Sequence, residues 1–153
     1  MELGLNRDYA EMLSALSETG AEFLLVGAYA LAAHGIPRAT GDMDLWVRPT
    51  SANAAKVWQA LERFGAPLSR LRPEDLEIEG MILQIGVAPC RIDIVTRVSG
   101  LAFQEAWDHR ESRQIVGIPV PLISEEDLLR NKIAAGRPKD IGDVAMLKAK
   151  RKG

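Results

Sequence analysis

The chain has little of the material that builds covalent or zinc-bound scaffolds. Among 153 residues it carries one cysteine, Cys90, and two histidines, His34 and His109. A lone cysteine cannot close an internal disulfide, which fits a reducing compartment, and two histidines leave little for a zinc site. With no histidine partner nearby, Cys90 is expected to be a small buried side chain. His34 precedes Gly35 at a predicted helix end, a place that suits a structural histidine. No apolar run is long enough to span a bilayer. The opening residues, "MELGLNRDYAEML", carry acids where a signal peptide would be cationic. A cytoplasmic protein with no membrane partner is the expectation. An excess of one charge is also missing: 19 Lys+Arg against 21 Asp+Glu give a formal net charge of -2. That argues against tight non-specific nucleic-acid binding and leaves room only for a local basic patch. The basic end, "KAKRKG", reads as a solvated tail. There is no internal repeat, no low-complexity segment, no P-loop lysine pattern and no G-x-G-x-x-G, so the two common phosphate-binding motifs are excluded.

What is present is ordinary globular material: 47% hydrophobic and 26% charged residues. That supports one domain over 1–153, with the last helices, about 124–150, as an appendage. Helical spacing of Tyr9, Met12, Leu13 and Leu16 predicts a helix over 7–19, stopped by Gly20. "EFLLVG" (22–27) is a short apolar run ending in glycine, read as a buried strand that turns at Gly27 into the helix "AYALAAH" (28–34). The stretch 35–41 is loop. "DMDLWV" (42–47) alternates as a strand, and 51–64 is a helix capped by Thr50 or Ser51. A charged, proline-containing connection covers 66–80. "MILQIGV" (81–87) and "CRIDIVTRV" (90–98) read as a hairpin turning at Ala88-Pro89. A short helix around "LAFQEAWDHR", a strand pair or one strand broken at Gly117 and Pro119 over 113–123, and helices starting at Ser124 and Pro138 complete the order. The expected fold class is α/β (α+β): a mixed sheet flanked by helices, with a short C-terminal helical segment.

The chemistry concentrates in two strands. Asp42 and Asp44, at i and i+2, share one strand face with Trp46, where each carboxylate raises the cost of ionising the other. Trp46 on that face could border a pocket or be a partly buried sheet residue. Asp93 occupies the polar face of another predicted strand, between Ile92 and Ile94. If the two strands are neighbours, three acids converge, and an oxygen-preferring divalent ion relieves the repulsion. Such ions stabilise attacking and leaving oxygens in phosphoryl displacement. Gly27, ending a strand and opening a helix, lets phosphate approach the backbone, although close helix–strand packing would equally require it. Arg38 and Thr40 lie in the loop before the acids, within reach of phosphate or acceptor.

Taken together, "LLVGAYALAAHGIPRATGDMDLWV" (24–47) and "RIDIV" (91–95) resemble the polymerase-beta-type nucleotidyltransferase superfamily, in particular its small bacterial members, the minimal nucleotidyltransferases and abortive-infection-type toxins. Leu25-Val26-Gly27, Asp42-Met43-Asp44 and Asp93 match that pattern position by position. "NKIAAGRPKDIGDVAML" (131–147) is similar to the C-terminal lysine-plus-KDxxD segment of the toxin-like branch, through Lys132, Lys139, Asp140 and Asp143. One departure is Ala28, where many active members have Gly or Ser; backbone donors remain there. The resemblance implies that Asp42 and Asp44 hold Mg²⁺ (or Mn²⁺) carrying an NTP, and that Asp93 binds a second ion and helps deprotonate the acceptor hydroxyl. Gly27, Ala28, Arg38, Thr40, Lys132 and Asp140 would bind the nucleotide. An NMP would pass to an RNA or tRNA end, a protein hydroxyl or a small molecule, within a toxin–antitoxin or phage-defence setting that includes a cognate partner protein. From the residues alone, Lys132 also suits a helix C-terminus, and Asp140 the first turn of its helix. The rival reading is a nucleotidyltransferase-fold antitoxin or binding module without catalysis.

Overall fold

A computed structural model of the chain describes residues 6–37, 41–87 and 90–152. Among the described residues, six strands form one mixed sheet, accompanied by six α-helices. The elements are α1 (Arg7–Glu18), β1 (Phe23–Val26), α2 (Gly27–Ala33), β2 (Asp42–Val47), α3 (Ser51–Phe64), β3 (Ile82–Ile85), β4 (Arg91–Val95), α4 (Phe103–Asp108), β5 (Glu111–Ile115), β6 (Ile118–Leu122), α5 (Glu125–Ala135) and α6 (Pro138–Lys152). The strands lie in the order β3-β4-β2-β1-β6-β5. β1 pairs antiparallel with β2 and parallel with β6, and β2 pairs parallel with β4. The β3–β4 and β5–β6 hairpins close the two edges.

Three of the helices start where a side chain accepts a free N–H. Asn6, Thr50 and Ser124 cap α1, α3 and α5 by accepting from Tyr9, Asn53 and Asp127. Thr50, not Ser51, is thus the cap of α3. Gly65 and Gly136, both left-handed, end α3 and α5. The run Phe23–Val26 is buried throughout, as befits a central strand covered on both faces. Tyr9, Met12, Leu13 and Leu16 of α1 and Val57 and Leu61 of α3 join Met43, Leu45, Ile92 and Ile94 in one core. Burial of that apolar surface is the main stabilising term, roughly 25 cal/mol per Å² removed from water.

Several local expectations change on folding. The 66–80 connection contains a 3-10 turn over Pro73–Glu77 that buries Leu76. The basic C-terminal run is not a tail: α6 continues through Lys152, placing Lys150, Arg151 and Lys152 in its last turn, where cations favour the helix dipole. Cys90 is exposed rather than buried, because it precedes the first residue of β4 outside the packed ladder. Trp46 is 2% exposed, packed edge-on against Phe103 of α4 with ring centroids 5.1 Å apart. α4 closes over that end of the face, so Trp46 belongs to the core. Its indole N–H is buried with no hydrogen-bond acceptor among the described residues. His34 is buried as a structural group, its Nε2–H donating to the Ile123 carbonyl at 2.8 Å. Among the described residues, no helix is long and apolar enough to cross a membrane.

Candidate active site

The parallel pairing of β2 with β4 determines the site. Its register sets Asp42 opposite Arg91 and Asp44 opposite Asp93. Residues two apart on a strand share a face, and neighbouring strands lie about 4.8 Å apart. The four side chains therefore form a two-by-two patch holding three carboxylates and one guanidinium. Arg91 ties the patch together: its Nη2 donates to Asp42 Oδ2 at 2.8 Å and to Asp93 Oδ2 at 3.2 Å, and its Nε donates to Asp93 Oδ1 at 2.9 Å. With the guanidinium at that corner, no group of three or more His, Cys, Asp or Glu side chains among the described residues is arranged to hold a metal ion as it stands.

Asp44 is the acid Arg91 does not reach. Burial first, then the charges of Asp93 and Asp42, raise its carboxyl from 3.8 to about 6, against the pull of Lys139 and Lys132. Its carboxylate lies directly over Gly27. A Cβ placed on Gly27, whose φ is +71°, would stand 2.2 Å from Asp44 Oδ2. The glycine between β1 and α2 is thus required by Asp44 itself, both for a left-handed backbone and for room. That is a more specific reason than helix–strand packing.

Asp42 and Asp44 face a cleft of about 450 Å³ bordered on the near side by Gly27 and Ala28. α5 and α6 supply much of the far wall. Lys132 is 6% exposed and its Nζ stands 3.2 Å from both Asp140 and Asp143, the second of which also lines the cleft. Asp140 also accepts from Arg137, through Nε at 2.8 Å and the backbone N–H at 3.1 Å. Burial would raise this carboxyl, but the hydrogen bonds from Arg137 and Lys132 outweigh it and hold Asp140 below the usual range. Arg97 and Lys139 also line the cleft and make no ion pair among the described residues. A negatively charged floor therefore faces a wall carrying uncommitted positive charge, a combination suited to a polyanion bound through cations.

Of the residues expected from the sequence, Gly27, Ala28, Asp42, Asp44 and Lys132 border the cleft together. Asp93 stands beside Asp44 in register, and Asp140 stands behind Lys132. Arg38 and Thr40 lie outside the described residues. Sequence reasoning missed Arg91, Arg97 and Arg137 as members of this neighbourhood. Only Arg91 left a signal, since it alternates with Asp93 on the polar face of its strand. It also missed Tyr9, which looked like any apolar helix residue. Its buried hydroxyl, pushed up to about 12 chiefly by desolvation, donates to the Gly41 carbonyl and lies 3.1 Å from the Arg91 carbonyl. It pins the entries of both acid-bearing strands.

No curated protein matches the sequence. Among solved structures, a candidate nucleotidyltransferase (TM1012) from Thermotoga maritima is similar in fold, with a TM-score of 0.56 at 12% identity, covering 94% of this chain and 88% of that one. At that identity the likeness carries the fold: a mixed sheet flanked by helices of nucleotidyltransferase type. A family model described as "Nucleotidyl transferase of unknown function (DUF2204)" matches residues 5–152. With nearly its whole length matched, and with paired aspartates on one strand and a third beside them, the chain belongs to this minimal nucleotidyltransferase family.

Proposed function

We propose that the protein transfers an NMP from an NTP to an acceptor hydroxyl, with release of pyrophosphate. The observation that carries this reading is the β2–β4 register, which sets Asp93 beside Asp44 at a cleft whose opposite wall is cationic. The donor set fits a hard divalent cation: three carboxylates, with Asp44 destabilised as an anion until positive charge arrives. Asp42, Asp44 and Asp93 would hold Mg²⁺ or Mn²⁺, which when bound neutralises triphosphate charge and favours departure of pyrophosphate. Lys139 and Arg97 draw the phosphates to the far wall, where Lys132, held by Asp140 and Asp143, adds a donor, and the Gly27–Ala28 backbone borders the near one. Asp140 acts on the nucleotide through the lysine and arginine it holds in place. In the reaction the acceptor oxygen bonds to the α-phosphorus as the bond to the bridging α–β oxygen breaks, and Asp93 takes the hydroxyl proton. Positioning and charge neutralisation supply the rate enhancement.

The acceptor belongs to one of three classes: an RNA or tRNA end, a protein hydroxyl, or a small molecule, in a toxin–antitoxin or phage-defence setting with a cognate partner. A non-catalytic binding module is the second reading. It is favoured by Arg91, which already pairs with Asp42 and Asp93, and by Ala28 in place of a hydroxyl-bearing residue. Calorimetric titration of ATP, GTP, CTP and UTP separates the two, with and without Mg²⁺, on the natural protein and on Asp42→Asn/Asp44→Asn. Mg²⁺-dependent triphosphate binding that the double variant loses supports the enzyme, and labelled nucleotide then identifies the acceptor class. If no triphosphate binds the natural protein, the binding module stands.

A further inference from the structure

We propose that Arg91 is a displaceable counter-ion, holding the place of a divalent cation on the carboxylate patch and setting how tightly the nucleotide-free protein takes one. This rests on the metal-assisted reading of the site. Three features carry it. Arg91 occupies the fourth corner of the patch in register with Asp42, and both of its neighbouring acids are satisfied by it. Its side chain is 30% exposed, so the guanidinium has open water to swing into. It is also not needed to join the strands: β2 and β4 already pair over five residues, and Tyr9 pins their entries.

The charge balance explains why such a residue suits this place. Three ionised carboxylates on one partly buried face repel one another, and a guanidinium brings a single charge and makes no hydrogen bond to Asp44. A divalent ion brings two charges and compact coordination, so it replaces Arg91 with a gain. Entry of the ion must first break the charge-assisted hydrogen bonds of Arg91 to Asp42 and Asp93, and that lowers apparent affinity. Once released, both oxygens of Asp93 become available to ion and acceptor. Arg91 therefore acts as a positioning residue, keeping the carboxylates in place while no ion is bound and ceding them when one arrives.

The test measures Mn²⁺ binding without nucleotide, from the paramagnetic resonance of the free ion, on the natural protein, Arg91→Ala and Arg91→Lys. Arg91→Ala is expected to bind Mn²⁺ about tenfold tighter, equivalent to about 1.4 kcal/mol, with Arg91→Lys between the two. The melting temperature of Arg91→Ala should lie below that of the natural protein in chelator and recover steeply as Mn²⁺ is added. Should Arg91→Ala not fold, Arg91→Gln removes the charge at similar length and is expected to tighten Mn²⁺ binding likewise. Equal or weaker Mn²⁺ affinity in the variants, while the natural protein still binds Mg²⁺ with a triphosphate, would overturn the counter-ion role and leave the proposed function standing. Absence of both Mn²⁺ and Mg²⁺-triphosphate binding in the natural protein would overturn both.

Discussion

At the scale of single residues, Asp44 and Gly27 form one unit. Burial and its acidic neighbours hold the Asp44 carboxyl near 6, against 3.8 when unperturbed. The folded protein thus binds this proton more tightly than the unfolded chain does. Stability from this group is greatest below about pH 4, declines between 4 and 6, and above 6 bears a full cost of up to ~3 kcal/mol. Asp44→Asn should therefore melt higher than the natural protein at pH 7.5 without divalent ions, with the difference vanishing near pH 4; thermal denaturation across pH checks this. Gly27→Ala forces a Cβ into a left-handed position and onto the Asp44 carboxylate. The conformational cost alone is about 1–2 kcal/mol, and the displaced acid should abolish triphosphate binding. In an Asp44→Ala background the 2.2 Å contact with the carboxylate is gone and only a tight 3.1 Å contact with the Cβ remains, so the same glycine substitution should cost measurably less stability. A double-mutant cycle reads that coupling.

At the scale of elements, two junctions have testable chemistry. Asn53, in the first turn of α3, accepts from the Glu22 N–H at 2.7 Å and donates to the Glu22 and Arg48 carbonyls, each at 2.9 Å. One buried amide thereby ties α3 to the ends of β1 and β2. Asn53→Ala leaves the Glu22 N–H and the Arg48 carbonyl without this partner, while the Glu22 carbonyl keeps the Arg48 N–H at 3.2 Å, and should cost about 2–4 kcal/mol in denaturant unfolding. Asn53→Asp should also destabilise, because it turns two donors into an acceptor facing carbonyls. The β5–β6 hairpin turns through Val116 and Gly117, at φ +52° and +75°. A β-branched side chain is strained there, whereas asparagine tolerates that conformation. Val116→Asn should raise stability by about 1 kcal/mol, read as a higher denaturation midpoint at unchanged slope. The sequence marked this turn through Gly117 but gave no sign that the preceding valine would share the left-handed region.

For the molecule as a whole, the formal charge of -2 hides a strong local division. Positive groups on α5, α6 and the segment after β4 confront the acids of β2 and β4 across the cleft. Attraction of these groups for a polyanion acts over about 8 Å at physiological salt, so it belongs to the cleft rather than to the net charge. Lys139→Gln and Arg97→Gln should each weaken triphosphate binding by roughly tenfold, about 1.4 kcal/mol, while leaving the melting temperature nearly unchanged. Each should also flatten the salt dependence of binding. Titrations at two ionic strengths measure both effects.

How much of this was legible beforehand follows from the range of each interaction. Helical and alternating periodicities, the helix start at Ser124, the turn at Gly27 and the pairing of Asp42 with Asp44 are fixed within a few residues, so the sequence by itself determined them, whereas the cap of α3 stayed open between Thr50 and Ser51 until the structure chose Thr50. The resemblance of 24–47 and 91–95 to nucleotidyltransferases extended that local reading to the fold. Tertiary structure alone decided that β4 lies parallel beside β2, because register between distant strands depends on burying Met43, Leu45, Ile92 and Ile94 together. From that one choice follow Asp93 beside Asp44, Arg91 between two acids, and Tyr9 pinning both strand entries. Burial of Trp46 beneath α4 and the gathering of Lys132 with Asp140 and Asp143 likewise required the packed chain. These contacts join residues far apart in sequence, where no short-range pattern records the neighbour that folding supplies.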